Sequence, residues 1–178
     1  MKKLCVFTGA AKGNDPRFIE AANQLGQIIA ARNIGLVYGG GKSGLMGMIA
    51  DAVISSNGYV CGVIPKFLDS VEISHKELSE LHVVDSMHER KNMMYEAADG
   101  FIIMPGGLGT LDEAMEIITW RQLGIHRKPI VIVNLNGYWD HLLLLFQKII
   151  DQGFMHHGHT GHFEHVDDMD ALADRIDD

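Results

Sequence analysis

"KLCVFTGAAKGNDPRFIEAANQLGQIIAARNIGLVYGG", residues 3–40, decides the fold. It opens on an apolar run, "KLCVFTG", of the kind that suits a strand buried on both faces. A glycine-bearing loop follows. Asp15 and Pro16 then supply an N-cap residue and a first-turn proline, the signals that open a helix. The helical stretch runs to about Arg32 and gives way to a second apolar run, "IGLVYGG". Strand, crossover helix and strand together make the unit of a parallel sheet.

The same alternation continues along the chain. A helix over Gly44–Ser56 precedes a third strand, "YVCGVIP"; a fourth strand, "HVVDS", precedes a helix over "MHERKNMMYEAA". A fifth strand, "GFIIMPG", leads to a helix from Leu111 to Leu123, and a sixth, "KPIVIVN", to a helix from Tyr138 to Asp151. "FEHVDD" and a short acidic helix close the chain. With no linker, repeat or low-complexity tract, this predicts one α/β domain over residues 1–178. Its fold class is a doubly wound parallel sheet with helices on both faces.

In such a sheet ligands bind beyond the carboxyl ends of the strands. Three glycine-rich loops fall at strand ends: "GAAKG" (9–13), "GGGKSG" (39–44) and "PGGLG" (105–109). Three at one edge point to a shared anion-binding cleft, although βα turns also use glycine for steric reasons alone. "GGGKSG" itself fits neither common nucleotide motif. A P-loop needs a glycine five residues before Gly41, where this chain has Leu36. Gly39, Gly41 and Gly44 match a dinucleotide fingerprint, but the acidic residue expected roughly 20 residues on is missing at the end of the third strand, and Asp69 comes too late.

Composition narrows the partners. The 178 residues carry a net charge of −8 and are 47% hydrophobic, enough apolar material for a substantial core. Charges of both signs are scattered, which argues against nucleic acid or an anionic membrane as the main partner. The longest strongly apolar piece lies within "HLLLLFQKII", far short of a span. Cys5 and Cys61 each sit in a short apolar segment and read as buried thiols in a reducing compartment. A cytoplasmic protein is expected.

Two helix starts carry unusual chemistry. "SMHE" (86–89) and "TLDE" (110–113) both fit a capping box, with Ser86 and Thr110 as N-caps and Glu89 and Glu113 folding back onto the cap amide. On the residues alone, Glu113 is as well explained by capping as by catalysis. Arg90 and Lys91 lie in the first turn of their helix, where the macrodipole disfavours cations. Arg90 shares a face with Met94 and Ala97 and so points toward the sheet, in want of an anion: a structural carboxylate or a ligand phosphate. The 106–110 loop adds backbone N–H donors at another helix N-terminus, a ready anion site.

"MHERK" (87–91) followed by "PGGLGTLDE" (105–113) resembles the paired signature of the Lonely Guy family. "YGGGKSGLMG" (38–47), "VIPKFL" (63–68), "TWRQLGIHRKPIVIVNLNGYW" (119–139) and "GF" (153–154) extend the resemblance over nearly the full chain. Members of that family are cytokinin riboside 5′-monophosphate phosphoribohydrolases and have often carried the label lysine decarboxylase. The resemblance implies a Rossmann-like homodimer that uses no cofactor and hydrolyses the N-glycosidic bond of a nucleoside 5′-monophosphate to free base and ribose 5-phosphate. AMP and N6-prenyl-AMP are the model substrates.

The family's catalytic pair falls on Arg90 and Glu113, and its phosphate loop on Gly106, Gly107, Gly109 and Thr110. Lys91 and Asp112 match neighbouring substrate-binding positions, and Glu72 matches the glutamate after the "IPxxL" segment. Leu108, in the phosphate loop, stands where the family often has an aromatic, which leaves the preferred base open. The first loop reads Gly9-Ala10-Ala11 where serines often follow the glycine, so hydroxyl contacts from it are lost.

Other readings fit the residues less well. A non-catalytic carrier of a phosphorylated cofactor such as molybdenum cofactor would have no need of a carboxylate beside a phosphate. A decarboxylase would need a pyridoxal lysine, and no lysine is singled out by its surroundings. "HHGHTGHFEH" (156–165) holds five histidines but lacks cysteine and a helical His-x₃-His pair, so it reads as a solvated loop and no metal site is expected. Met46, Met48, Met93 and Met94 read as packing residues, as do Trp120 and Trp139, with Trp120 also a candidate border of the base pocket.

Overall fold

The computed structural model describes residues 1–69, 75–155 and 162–177. Seven strands form one sheet: β1 (Lys3–Phe7), β2 (Gly35–Tyr38), β3 (Val60–Pro65), β4 (Glu80–Val84), β5 (Gly100–Ile103), β6 (Ile130–Val133) and β7 (Glu164–Val166). Between and after them lie α1 (Pro16–Ala31), α2 (Gly44–Ser55), α3 (Lys66–Asp69), α4 (Met87–Ala97), α5 (Leu108–Gln122), α6 (Asp140–Asp151) and α7 (Met169–Asp177). The strand order is β4-β3-β2-β1-β5-β6-β7 and every pairing is parallel. The expected doubly wound, Rossmann-like α/β architecture is thus the one observed. Winding starts at β1, runs outward to β4, and returns to the other side of β1 with β5. The crevice at that reversal, beyond the ends of β1 and β5, is where ligands bind in such sheets.

The strands alternate between two cores. Leu4, Val6, Leu36, Tyr38, Val60 and Ile102 face one cluster, with Ala22, Leu25 and Ile29 of α1, Ile49 and Val53 of α2, and Leu172 of α7. Cys5, Phe7, Val37, Cys61, Phe101 and Ile103 face the other, with Met94 of α4, Ala114, Ile117 and Ile118 of α5, and Phe146 of α6. Burial on both sides explains why the strands read as continuous apolar runs. Both cysteines are buried and free. Among the described residues no helix is long and apolar enough to cross a membrane.

Helix starts follow the sequence at α1 and α4. Asp15 caps α1 by accepting from the Arg17 amide at 3.0 Å, with Pro16 in the first turn. Ser86 caps α4 by accepting from the Glu89 amide at 3.1 Å, and Glu89 accepts in return from the Asp85 amide at 2.9 Å, one residue before the cap. α6 begins at Asp140 instead of Tyr138, because a 3₁₀ turn over Leu135–Gly137 intervenes. Asn134 organises that turn: its amide donates to Asp140 at 2.8 Å and its carbonyl accepts from the Trp139 amide at 2.7 Å. The result aims Tyr138 at the crevice.

Candidate active site

The floor of the crevice is tied together before any ligand enters. Pro105, just after β5, accepts from the Thr8 hydroxyl at 2.9 Å and from the Gly9 amide at 3.2 Å, so the loops following β1 and β5 are laced to each other. Above them opens a cavity of about 440 Å³, lined by residues 8–13, by 105–107, and by Arg90, Gly109, Thr110, Glu113 and Tyr138 among others.

α5 differs from its expected form in a way that bears on the capping reading of Glu113. The helix starts at Leu108, with Gly107 as N-cap, so Thr110 lies inside the first turn and caps nothing. Glu113 is therefore not the reciprocal half of a capping box. It sits further along the helix, buried at 9% exposure, and lines the cavity. The glycines at 106, 107 and 109 disguised this start, since glycine is a poor helix residue. The N-cap, Gly107, has no side chain with which to cap α5, and Leu111 N–H is the donor that reaches the Gly107 carbonyl. The amides of Leu108, Gly109 and Thr110 are left as the orphan donors of a helix N-terminus, where the dipole also favours an anion.

The glycines divide into two kinds. A Cβ on Gly106 would run into the Thr110 side chain, so that glycine is required by packing. A Cβ on Gly107 or Gly109 would meet nothing within 4 Å. No neighbour in the chain demands glycine there. The bare backbone leaves room for a ligand to approach the amides. Tyr138 donates from its hydroxyl to the Gly106 carbonyl at 2.6 Å and so clamps the loop from the far side.

Arg90 is buried at 5% exposure in the first turn of α4. Nε donates to Val63 O at 3.1 Å, Nη2 to Gly39 O at 3.0 Å, and Nη1 reaches the Met87 sulfur at 3.8 Å. A Cβ on Gly39 would occupy the guanidinium's place, so the cradle depends on that glycine. Gly39, just after β2, and Val63, within β3, thus supply the negative dipoles that hold the cation, and the guanidinium still borders the cavity. Cys5, fully buried on β1, responds to both charged groups. Burial, then the Glu113 charge, push its thiol well up, while Arg90 pulls the other way. Arg90 and Glu113 line the same cavity.

Of the three glycine loops, two line the cavity and "GGGKSG" does not. The N-terminal amides of α2 are consumed within the fold: Leu45 N–H donates to Gly9 O at 3.1 Å and Met46 N–H to Gly9 O at 3.3 Å. That helix end therefore buttresses the first loop instead of offering an anion site. Lys91 and Asp112 are also outside the cavity. The Lys91 ammonium donates to Asp112 and Glu116 at 3.1 Å each, bracing α4 against α5. Burial opposes its charge, but hydrogen bonds to Glu116 and Asp112 keep its pKa above the ordinary lysine value. Leu108 is 84% exposed and does not line the cavity. Glu72 lies outside the described residues, as does most of the histidine-rich segment. Trp120 packs edge-on to Tyr95 at 4.9 Å between centroids, away from the cavity.

Among the cavity residues without an individual role in the sequence reading are Lys12, Tyr138 and Phe18. Lys12 had a signal, as the cation of "GAAKG" at a strand end. Tyr138 and Phe18, which pack edge-to-face at 5.4 Å, had none, because only the topology brings their elements together.

A family profile described as "Possible lysine decarboxylase" matches residues 46–176. Cytokinin riboside 5′-monophosphate phosphoribohydrolase LOG7 of Arabidopsis thaliana is 49% identical over 86% of this chain and 71% of its own length. The chain belongs to the Lonely Guy family. A second Arabidopsis thaliana relative, cytokinin riboside 5′-monophosphate phosphoribohydrolase LOG2, is 46% identical over 86% of this chain and 72% of its own. Among solved structures, the molybdenum cofactor binding protein of Rippkaea orientalis aligns with a TM-score of 0.73, covering 99% of this chain and 96% of its own at 20% identity. That likeness is one of fold. The decarboxylase label of the Lonely Guy profile finds a poor counterpart in the cavity, whose lysine, Lys12, is exposed on a loop instead of being desolvated as a Schiff-base lysine is.

Proposed function

We propose that this protein hydrolyses the N-glycosidic bond of cytokinin-type nucleoside 5′-monophosphates, releasing the free base and ribose 5-phosphate. The observation that carries the reading is one cavity that joins an uncapped helix N-terminus to a single buried carboxylate, Glu113. The names of the Lonely Guy relatives support it independently.

The 5′-phosphate sits on the amides of Gly109 and Thr110, with Lys12 adding charge from the facing loop. The ribose then lies toward Glu113 and Arg90. As the C1′–N bond breaks, its electron pair leaves with the base, which takes up a proton, and positive charge grows on the ribose ring. The Glu113 carboxylate stabilises that oxocarbenium character and accepts a proton from the water whose oxygen bonds to C1′. Arg90, fixed by the Val63 and Gly39 carbonyls, orients the nucleotide and offsets the carboxylate. The reading extends to a homodimer in the cytoplasm. It is supported by the exposed Leu144, Leu145 and Phe154 and by two free thiols.

Incubation with AMP, isopentenyladenosine monophosphate, GMP and CMP, followed by chromatography, is the test. Release of adenine or prenylated adenine is expected. No base from any of the four would overturn the reading.

A further inference from the structure

At the opposite end of the sheet from the cavity, toward the amino ends of β3 and β4, three donor side chains converge. Cys61 on β3 is in register with Glu80 on β4, and Val63 with His82, so Cys61, Glu80 and His82 share one face of the sheet. The Cys61 sulfur, a Glu80 oxygen and a His82 ring nitrogen all lie within 4.8 Å of one another. We propose that Cys61, Glu80 and His82 form a binding site for a divalent metal ion of the zinc class.

The donor set is chemically suited to zinc, which takes thiolate, imidazole and carboxylate and keeps an open fourth position in three-ligand sites. The geometry agrees. Two ligands about 2.0–2.1 Å from a tetrahedral ion stand roughly 3.3–3.4 Å apart. His82 Nε2 and Glu80 Oε2 are 3.3 Å apart. That spacing is long for a good hydrogen bond and right for two ligands of one ion. Cys61 forms the floor at 3% exposure, while Glu80 and His82 stand half-exposed above it on the edge strand. An ion thus has an approach from solvent and a buried sulfur to anchor it.

The surroundings complete the site. Lys3 reaches the Tyr59 hydroxyl at 3.5 Å, which brings a cation to the side of the cluster. Binding displaces the Cys61 proton to solvent, leaving two anionic ligands against the ion and the Lys3 charge. The ion ties the edge strand β4, whose other face is exposed, to β3. β4 leads through Ser86 into the helix that carries Arg90, so the tie anchors the approach to the cavity from outside it.

The purified chain is stripped with EDTA, then titrated with zinc by calorimetry and with cobalt by absorbance. One ion per chain is expected, with the sulfur-to-cobalt charge-transfer band and strong visible bands of a tetrahedral thiolate site. Cys61→Ser abolishes the charge-transfer band. His82→Ala and Glu80→Gln each weaken zinc at least tenfold, since loss of even an outer-shell partner costs about 10–100-fold. Changing His156, His157 and His159 together to Ala leaves this site intact. Failure to bind zinc at micromolar concentrations overturns the proposal. So does binding whose affinity and spectrum are unchanged in His82→Ala, a substitution on an exposed strand that spares the core if Cys61→Ser does not fold.

Discussion

Glu113→Gln separates the two readings of this side chain with one atom. The substitution keeps the volume and one carbonyl oxygen but removes the negative charge. Glutamine serves a capping box as well as glutamate does, so a capping role predicts no change in stability or activity. The structure predicts otherwise, since Glu113 lies beyond the first turn of α5 and faces the cavity. With the carboxylate about 5 Å from the developing charge at C1′ and an effective dielectric of about 20, the interaction is roughly 3.3 kcal/mol, or about 250-fold in rate. General-base loss alone is typically 10²–10⁴-fold, which overlaps that estimate, and the two effects arise from the same oxygen. The expected fall in kcat is therefore about 10²–10⁴-fold.

The assay is adenine release from AMP, followed by chromatography at saturating substrate, with thermal unfolding measured on the same preparations. The melting temperature should stay within about 4 °C of wild type, the shift of about 1 kcal/mol for a chain of this size. A variant that folds normally and keeps kcat within threefold of wild type would refute the catalytic role. A large loss of stability with little loss of kcat would return Glu113 to a structural part.

Gly109→Ala should raise the melting temperature by up to about 4 °C, because a glycine is removed from a helix, yet raise KM for AMP at least tenfold by placing a methyl where the phosphate approaches; unchanged KM would show that the open space is not the ligand's. Lys12→Ala should raise KM about three- to tenfold at low salt, with the difference erased at high salt, as expected of an exposed, screened cation; a salt-independent effect, or none, would remove it from the phosphate site. His126 is held neutral, donating from Nε2 to Ile117 O at 2.9 Å and accepting from the Lys128 amide at 3.1 Å. Burial first, then Arg121 and Lys128, depress its pKa against the pull of the Ile117 carbonyl, so the unfolded chain binds the proton more readily. Stability should be full above the ordinary histidine pKa of about 6.5 and fall as pH drops below it. His126→Gln should flatten that part of the melting profile, and parallel profiles would refute the assignment.

What could be read in advance, and what could not, follows from the range of the forces involved. The sheet was legible because burial on both faces leaves a local trace, as in "FIIM" and "IVIV", with caps such as Asp15 and Ser86 marking where strands yield to helices. Arg90 was legible as an anomaly, a cation in a helix's first turn. Its partners were not, since the Val63 and Gly39 carbonyls come from β3 and the end of β2, placed only by the sheet order. The start of α5 was misjudged because glycine carries two meanings. Locally it marks a break, yet at Gly109 a helix accepts it.

That acceptance is the point at which fold and function meet. A helix that began at Leu111, capped by Thr110 and Glu113, would have satisfied its own donors and turned its carboxylate back on itself. Beginning at Leu108 without a side-chain cap, α5 offers its first amides to an anion and carries Glu113 further along its length into the same cavity. The local rule broken at Gly109, a glycine inside a helix, is what would hold the proposed phosphate site and the carboxylate on one element at a fixed separation. Consistency between local propensity and fold holds at the caps of α1 and α4 and lapses here, at the site proposed for the ligand's phosphate.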